Sequence, residues 1–252
     1  MAQVNPSKYY LEVLLNNELH LYAPLDSGVQ NWEINQKERD KQLNKIAELV
    51  NKKTVELHIL FQPLCFSLVP EILFEASEAP LYLDLHHSDI SNSFITFESL
   101  NFAAIELVYA IPKKTAQVFR QKFENAFWHC RPKALLQYIA EKSFENEDIS
   151  MWVAGDSNEL MIALYKKGRL LFYNTFQTDS ETDQLYYCLA LAEQQGIDKQ
   201  SCHLHLLGEN TSNELKTALK KQFAHTREQV SISRDKINSS FIYLEAMHLC
   251  AS

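Results

Sequence analysis

The spacing of apolar residues changes along this chain from a period of two to a period near 3.6 and back, and each change marks an element. Residues 9–15 and 18–22 alternate apolar and polar around Asn16-Asn17, a pair that tolerates the left-handed turn region, and so predict a β-hairpin. Asn35 with Glu38 gives a capping signal, and Leu43, Ile46, Ala47 and Val50 then recur at helical spacing to about Lys52. Strand-like runs cover 55–61 and 64–69, after which Pro70 suits the first position of a short helix holding Ile72, Leu73 and Phe74. Further strands are predicted at 81–85, 94–97 and 104–111. Pro112 and Pro132 open two helices, the first burying Ala116, Phe119 and Phe123 and the second Leu135, Leu136 and Ile139.

An acidic stretch, Phe144-Glu145-Asn146-Glu147-Asp148, separates this pattern from a second one. Residues 149–154, 160–165 and 169–176 predict a three-strand meander with its last turn at Lys166-Lys167-Gly168. A helix from about Glu181 buries Leu185, Cys188, Leu189 and Ala192, and Gly196 ends it as a left-handed cap. Residues 203–207 form a short strand, and Thr211 with Glu214 makes a capping box for a helix burying Leu215, Ala218, Leu219 and Phe223. A final helix holds Phe241, Leu244 and His248. Both halves, 1–147 and 148–252, therefore read as hairpin or meander, helix, strand, helix, the layout of an α/β fold with two related domains.

Composition narrows the chemistry. Only five glycines occur in 252 residues, and no two stand close enough for the glycine-rich loop that brings a backbone against phosphate. A net charge of −8 argues against a broad surface tracking nucleic acid, so direct nucleic-acid binding is not expected, and Lys216, Lys220 and Lys221 read as a solvated helix face. No apolar run reaches the length of a membrane span, and residues 1–6 lack the charged-then-apolar pattern of a signal peptide. The odd set Cys65, Cys130, Cys188, Cys202 and Cys250 lies in apolar segments, which predicts reduced, buried thiols and a cytoplasmic protein.

Candidate ligand sets are sparse. Asp84, His86, His87 and Asp89 are the densest group of metal-ligand types, with Asp84 and His86 on one face of the expected strand, yet a zinc site needs three or four converging ligands. His203 and His205 share a strand face without an acid or cysteine to complete a site. Asn174 is the polar member of an aromatic strand, Phe172 and Phe176 being its neighbours on one face, and is expected to be buried and hydrogen-bonded. No catalytic motif and no metal site are predicted.

Residues 65–74 (CFSLVPEILF) and 168–176 (GRLLFYNTF), followed by Asp183, Tyr186, Tyr187 and Leu206-Leu207-Gly208, resemble an uncharacterised family of Bacteroidetes proteins, domain of unknown function 3822. The resemblance spans nearly the whole chain and implies an actin-like ATPase (ribonuclease H-like) fold, closest to its pilus-assembly and cell-division members. Such folds hold ATP between two related domains, using two hairpins with acid-x-glycine turns and a strand ending in paired glycines. On that pattern Glu12 stands in the first hairpin, Gly155 and Asp156 in the second with Val153 replacing the acid, and Gly208 and Glu209 at the adenine strand. The first hairpin has no glycine, and the adenine strand supplies one glycine, Gly208, where the pattern has two. The expected function is a non-catalytic scaffold with an unidentified protein partner and no cofactor; the alternative is an atypical Mg-ATP-binding protein or ATPase using those five residues. The sequence leaves the oligomeric state open.

Overall fold

The computed structural model describes residues 7–13, 19–25, 28–33, 39–52, 55–84, 90–143, 148–155, 158–207 and 211–229. The chain divides into two compact units, Met1–Ala134 and Leu135–Ser252. In the first, β1 (Ser7–Val13), β2 (Leu19–Leu25) and β3 (Gly28–Glu33) form an antiparallel meander. Helix α1 (Arg39–Lys52) then returns the chain to β4 (Val55–Phe61), which lies parallel to β1. An excursion of β5 (Cys65–Pro70), two 3-10 turns, α2 (Ala79–Asp84), β6 (Ser93–Leu100) and β7 (Ile105–Pro112) precedes α3 (Lys113–Lys122) and β8 (Phe127–Cys130). β8 joins β4 in parallel, giving a sheet ordered β3-β2-β1-β4-β8, while β5-β7-β6 is a separate antiparallel sheet.

The second unit repeats this order without the excursion. β9 (Ile149–Gly155), β10 (Glu159–Lys166) and β11 (Arg169–Gln177) form the meander, and α5 (Glu181–Gln194), β12 (His203–Leu207), α6 (Asn213–Gln222) and β13 (His225–Gln229) follow. The sheet runs β11-β10-β9-β12-β13, with β12 parallel to both β9 and β13. Each unit is thus three antiparallel strands, helix, parallel strand, helix, parallel strand. The inserted sheet is what distinguishes the first. Helix α4 (Arg131–Ser143) links the two repeats in sequence.

Burial follows the strand period. On one face of the second sheet Met151, Val153, Ile162, Leu164, Leu204 and Leu206 form a core with Cys188, Leu191 and Ala192 of α5 and Leu215 and Leu219 of α6. The opposite face buries Trp152, Met161, Ala163 and Tyr165, and the Tyr165 hydroxyl donates to the carbonyl of Leu136 in α4 at 3.1 Å. A sheet covered on both faces selects nearly continuous apolar strands, as in β10 (ELMIALYK). In the first unit Leu57, Ile59, Leu60 and Phe61 of β4 are likewise buried, and Phe61 meets Phe119 of α3 edge-on at 5.6 Å. The inserted sheet has its own small core: Cys65, Val69, Val108 and Ala110 against Ala79 and Leu83.

The structure corrects several sequence expectations. Residues 79–84 form a helix where a strand was predicted at 81–85: Pro80 suits a first helical turn, and Ala79 and Leu83 bury at i,i+4 spacing. The turn after Pro70 is a 3-10 turn with no buried residue. Strands β3 (GVQNWE) and β13 (HTREQ) lie at sheet edges and carry polar residues that break the apolar alternation, and β8 (FWHC), also at an edge, is only four residues long, so none of the three is marked by its own sequence. Ser212, not Thr211, caps α6, its hydroxyl accepting from the Leu215 N–H at 3.1 Å. The hairpin turn at Asn16-Asn17, the Asn35–Glu38 cap, residues 144–147 and the helix holding Phe241, Leu244 and His248 lie outside the described residues. Ser212→Ala should therefore lower stability by about 1 kcal/mol, measured by thermal or urea unfolding, with little change for Glu214→Ala.

Candidate functional site

In open α/β sheets, ligands bind beyond the carboxyl ends of the parallel strands. In the second unit those ends are Gly155 of β9 and Leu207 of β12, and Ala154 pairs in register with Leu207. The Thr211 hydroxyl joins them. It accepts from the Gly155 N–H at 3.3 Å and lies 3.2 Å from the Leu207 carbonyl and 3.4 Å from the Gly155 carbonyl, to either of which it can donate. Behind Gly155 stands Gln184 of α5, whose amide donates to the Thr178 hydroxyl at 3.1 Å. Gln184, Thr178 and Thr211 are all buried.

A Cβ on Gly155 would lie 2.9 Å from Gln184 Oε1 and 3.5 Å from Leu215 Cδ2. The glycine therefore serves the close approach of α5 and α6 to the sheet, and its amide is already paired with a side chain of the protein. Asp156, Gly208 and Glu209 fall outside the described residues, and Glu12 stands in β1 opposite His20 of β2 and Leu60 of β4. Thr178 and Gln184 were missed by sequence reasoning, since a buried polar contact between a loop and a helix leaves no motif.

A second polar cluster closes a strand end in the first unit. Glu98, from the inserted sheet, accepts from the Tyr109 hydroxyl at 2.9 Å and the Cys130 N–H at 3.0 Å through one oxygen, and from Lys133 Nζ at 3.0 Å through the other. Cys130 ends β8 and Lys133 lies in the first turn of α4, so the carboxylate sits where the helix dipole is positive. Burial and the negative charge of Glu98 hold the Tyr109 phenol well above its ordinary range. Close by, His58 Nδ1 and His129 Nε2 are 3.0 Å apart, and the His58 ring stacks with those of Phe127 and His129. Burial, then His58 and Lys133, push His129 down to about 4.

The remaining candidates are structural in their surroundings. His205 stacks on Trp152 with ring centroids 3.9 Å apart, and its Nδ1 is 3.0 Å from Gln229 Nε2. Burial, followed by Arg227 and His203, pushes it down to about 4. His203 stacks on His225 and approaches Asp148 at 3.9 Å. Asp84 ends helix α2 where a strand was expected, and His86, His87 and Asp89 are outside the described residues. Among the described residues no three side chains of metal-ligand type converge. Cys65, Cys130, Cys188 and Cys202 are free and buried, and burial raises every one of these thiols, Cys202 to about 11 and Cys188 to about 12, which removes them as nucleophiles at neutral pH.

Asn174 differs from expectation. It is exposed, and its side-chain oxygen accepts from the neighbouring Thr175 N–H at 2.9 Å. The cause is its place on β11, an edge strand of the sheet, where a local side-chain-to-backbone bond suffices.

Duplicated sheets of this order define an actin-like ATPase fold, and solved structures agree. The chain is similar to a Bacteroides thetaiotaomicron protein with an actin-like ATPase fold and unknown function, at 19% identity and a TM-score of 0.80, over 99% of this chain and 100% of that one. It is also similar to a chain of the PilM-PilN type IV pilus biogenesis complex, at 11% identity and a TM-score of 0.55, over 91% and 89% of the two chains. Residues 26–226 match the model of the family "Protein of unknown function (DUF3822)", and the chain belongs to that family. No curated protein matches its sequence. Among the described residues no helix is long and apolar enough to cross a membrane.

Two expected outcomes follow from these geometries. Gly155→Ala should cost about 1–3 kcal/mol through overpacking, and Gln184→Ala in the same chain should recover part of that loss in a double-mutant cycle read by urea unfolding. His129 and His205 have folded values below the ordinary 6.5, so the unfolded chain binds more protons than the folded one as pH falls. Their contribution is fully present above about 6.5 and is lost as the pH falls towards 4. Melting temperature should drop across that window, and less steeply in His129→Asn.

Proposed function

We propose that this protein is a non-catalytic scaffold that binds a protein partner on an actin-like fold that has given up its nucleotide site. The observation that carries the reading is the state of Gly155. Phosphoryl transfer depends on backbone amides, cations and metal ligands positioned together around the phosphates. At the one glycine of the second hairpin, the amide is paired with Thr211 and the space in front of its α-carbon is taken by Gln184. A phosphate at that amide would have to displace buried, hydrogen-bonded groups, each costing about 1–3 kcal/mol to leave unpaired. Val153, which stands where the metal-binding acid would be, is fully buried among Met151, Ile162 and Leu206 and offers no oxygen.

The partner half of the reading draws support from the neighbour described as a PilM-PilN complex, in which an actin-like chain is assembled with another protein. It also draws on the exposed apolar side chains of this chain, among them Ile72, Leu73, Leu81 and Tyr186. Titration calorimetry with magnesium-ATP tests the proposal. The expected result is no saturable heat up to millimolar nucleotide. A dissociation constant of about 1 µM or tighter, roughly −8 kcal/mol, would establish the atypical ATP-binding alternative instead.

A further inference from the structure

The net charge of the chain is unevenly held. Residues 54–112 contain no lysine or arginine, and the excursion between β4 and α3, residues 62–112, carries seven Asp and Glu. Against a whole-chain net charge of −8, the inserted sheet and its helix therefore hold nearly all of the excess, and the rest of the molecule is close to balanced. Glu98 and Glu106 are engaged inside the fold, by Lys133 and Ser99 respectively. Glu71, Glu75, Glu78 and Asp84 are exposed, and among the described residues none of them forms an ion pair.

The same short stretch displays the most exposed large apolar side chain of the described residues. Ile72 is 92% exposed and Leu73 68%, side by side on the 3-10 turn, with Leu81 of α2 at 54%. The turn is firmly built. The Glu71 N–H donates to the Ala104 carbonyl at 2.9 Å, and Ala104 holds a φ of 52°, a left-handed conformation unusual for alanine. The Tyr82 hydroxyl donates to the Leu73 carbonyl at 2.9 Å and accepts from the Glu75 N–H at 2.9 Å. Phe74 anchors the turn from beneath, its ring 4.8 Å from Phe97 and 5.8 Å from Tyr82. An apolar pair held in place before binding loses little conformational freedom on binding, which is the property of an interface anchor.

We propose that the inserted subdomain is the docking surface for a basic protein partner, with Ile72 and Leu73 entering an apolar groove whose rim carries lysine and arginine. This rests on the scaffold reading and assigns its surface. Charge complementarity selects the occupant: the unpaired carboxylates Glu71, Glu75 and Glu78 beside the anchor in sequence, with Asp84 on the same subdomain, attract a cationic rim and steer its approach. A second copy docking through the same face would bring two such acidic sets together, a repulsive arrangement.

Photo-crosslinking in the source cells tests this. Ile72 of the full chain is replaced by benzoylphenylalanine, and in a separate variant so is Tyr186, an exposed aromatic of the second unit. The expected result is an adduct at position 72 with a protein that, once purified, binds the full chain more weakly as salt rises. Ile72→Ser with Leu73→Ser should then weaken that binding about thirtyfold. Glu71→Lys with Glu75→Lys and Glu78→Lys should weaken it and flatten the salt dependence, in a chain that melts as the parent does. No adduct at position 72, an adduct with a second copy alone, or a partner indifferent to both variants overturns the assignment. A partner caught at position 186 but not 72 would leave the scaffold reading standing and remove this surface from it. Micromolar magnesium-ATP binding without an adduct at either position would remove both.

Discussion

A single threonine hydroxyl ties together the strand ends of the second unit. Thr211 joins the ends of β9 and β12 through Gly155 and Leu207, at the position where open α/β sheets leave backbone groups free for a ligand. Buried amides and carbonyls must be paired, and here they are paired within the chain. Gln184 packs beside that closure. Its side chain reaches Thr178 across the space that Gly155 leaves open, and α5 lies against the sheet because no Cβ stands in the way. The glycine has the role of a packing residue, and the proposed loss of the nucleotide site is the consequence of that packing.

The first unit uses the same physical economy with different residues. Glu98 accepts three hydrogen bonds around the start of α4, so its charge is met by an amide, a phenol and an ammonium. Because Glu98 comes from β6, the inserted sheet is fastened to the end of β8. The excursion is therefore a fixed part of its unit, with a core of its own around Val108 and Leu83. A rigid base of this kind lets a turn such as Glu71–Leu73 hold apolar side chains in water without collapsing.

Much of the architecture was legible in the sequence, for identifiable reasons. Long strands buried on both faces, such as β4 and β10, announce themselves by continuous apolar residues, and α3 and α4 by a proline followed by helical spacing. The doubled layout followed from those elements together with the resemblance. Edge strands did not follow, because β3, β8 and β13 owe their conformation to one neighbouring strand and little to their own composition. Asn174 was read as buried by alternation, yet alternation does not reveal that β11 lies at an edge. The site was the least legible part. Gly155 was named as a possible phosphate contact, but the residues that fill its surroundings come from 178, 184 and 211, and only the fold brings them together.

The state of the Gly155 amide is the most direct measure of this account. Its nitrogen-15 resonance can be followed for hydrogen exchange and for displacement during addition of magnesium-ATP. The account predicts an amide that exchanges as slowly as its neighbours in β9 and keeps its position at millimolar nucleotide. A fast-exchanging Gly155 amide that moves with saturable dependence on magnesium-ATP would contradict it.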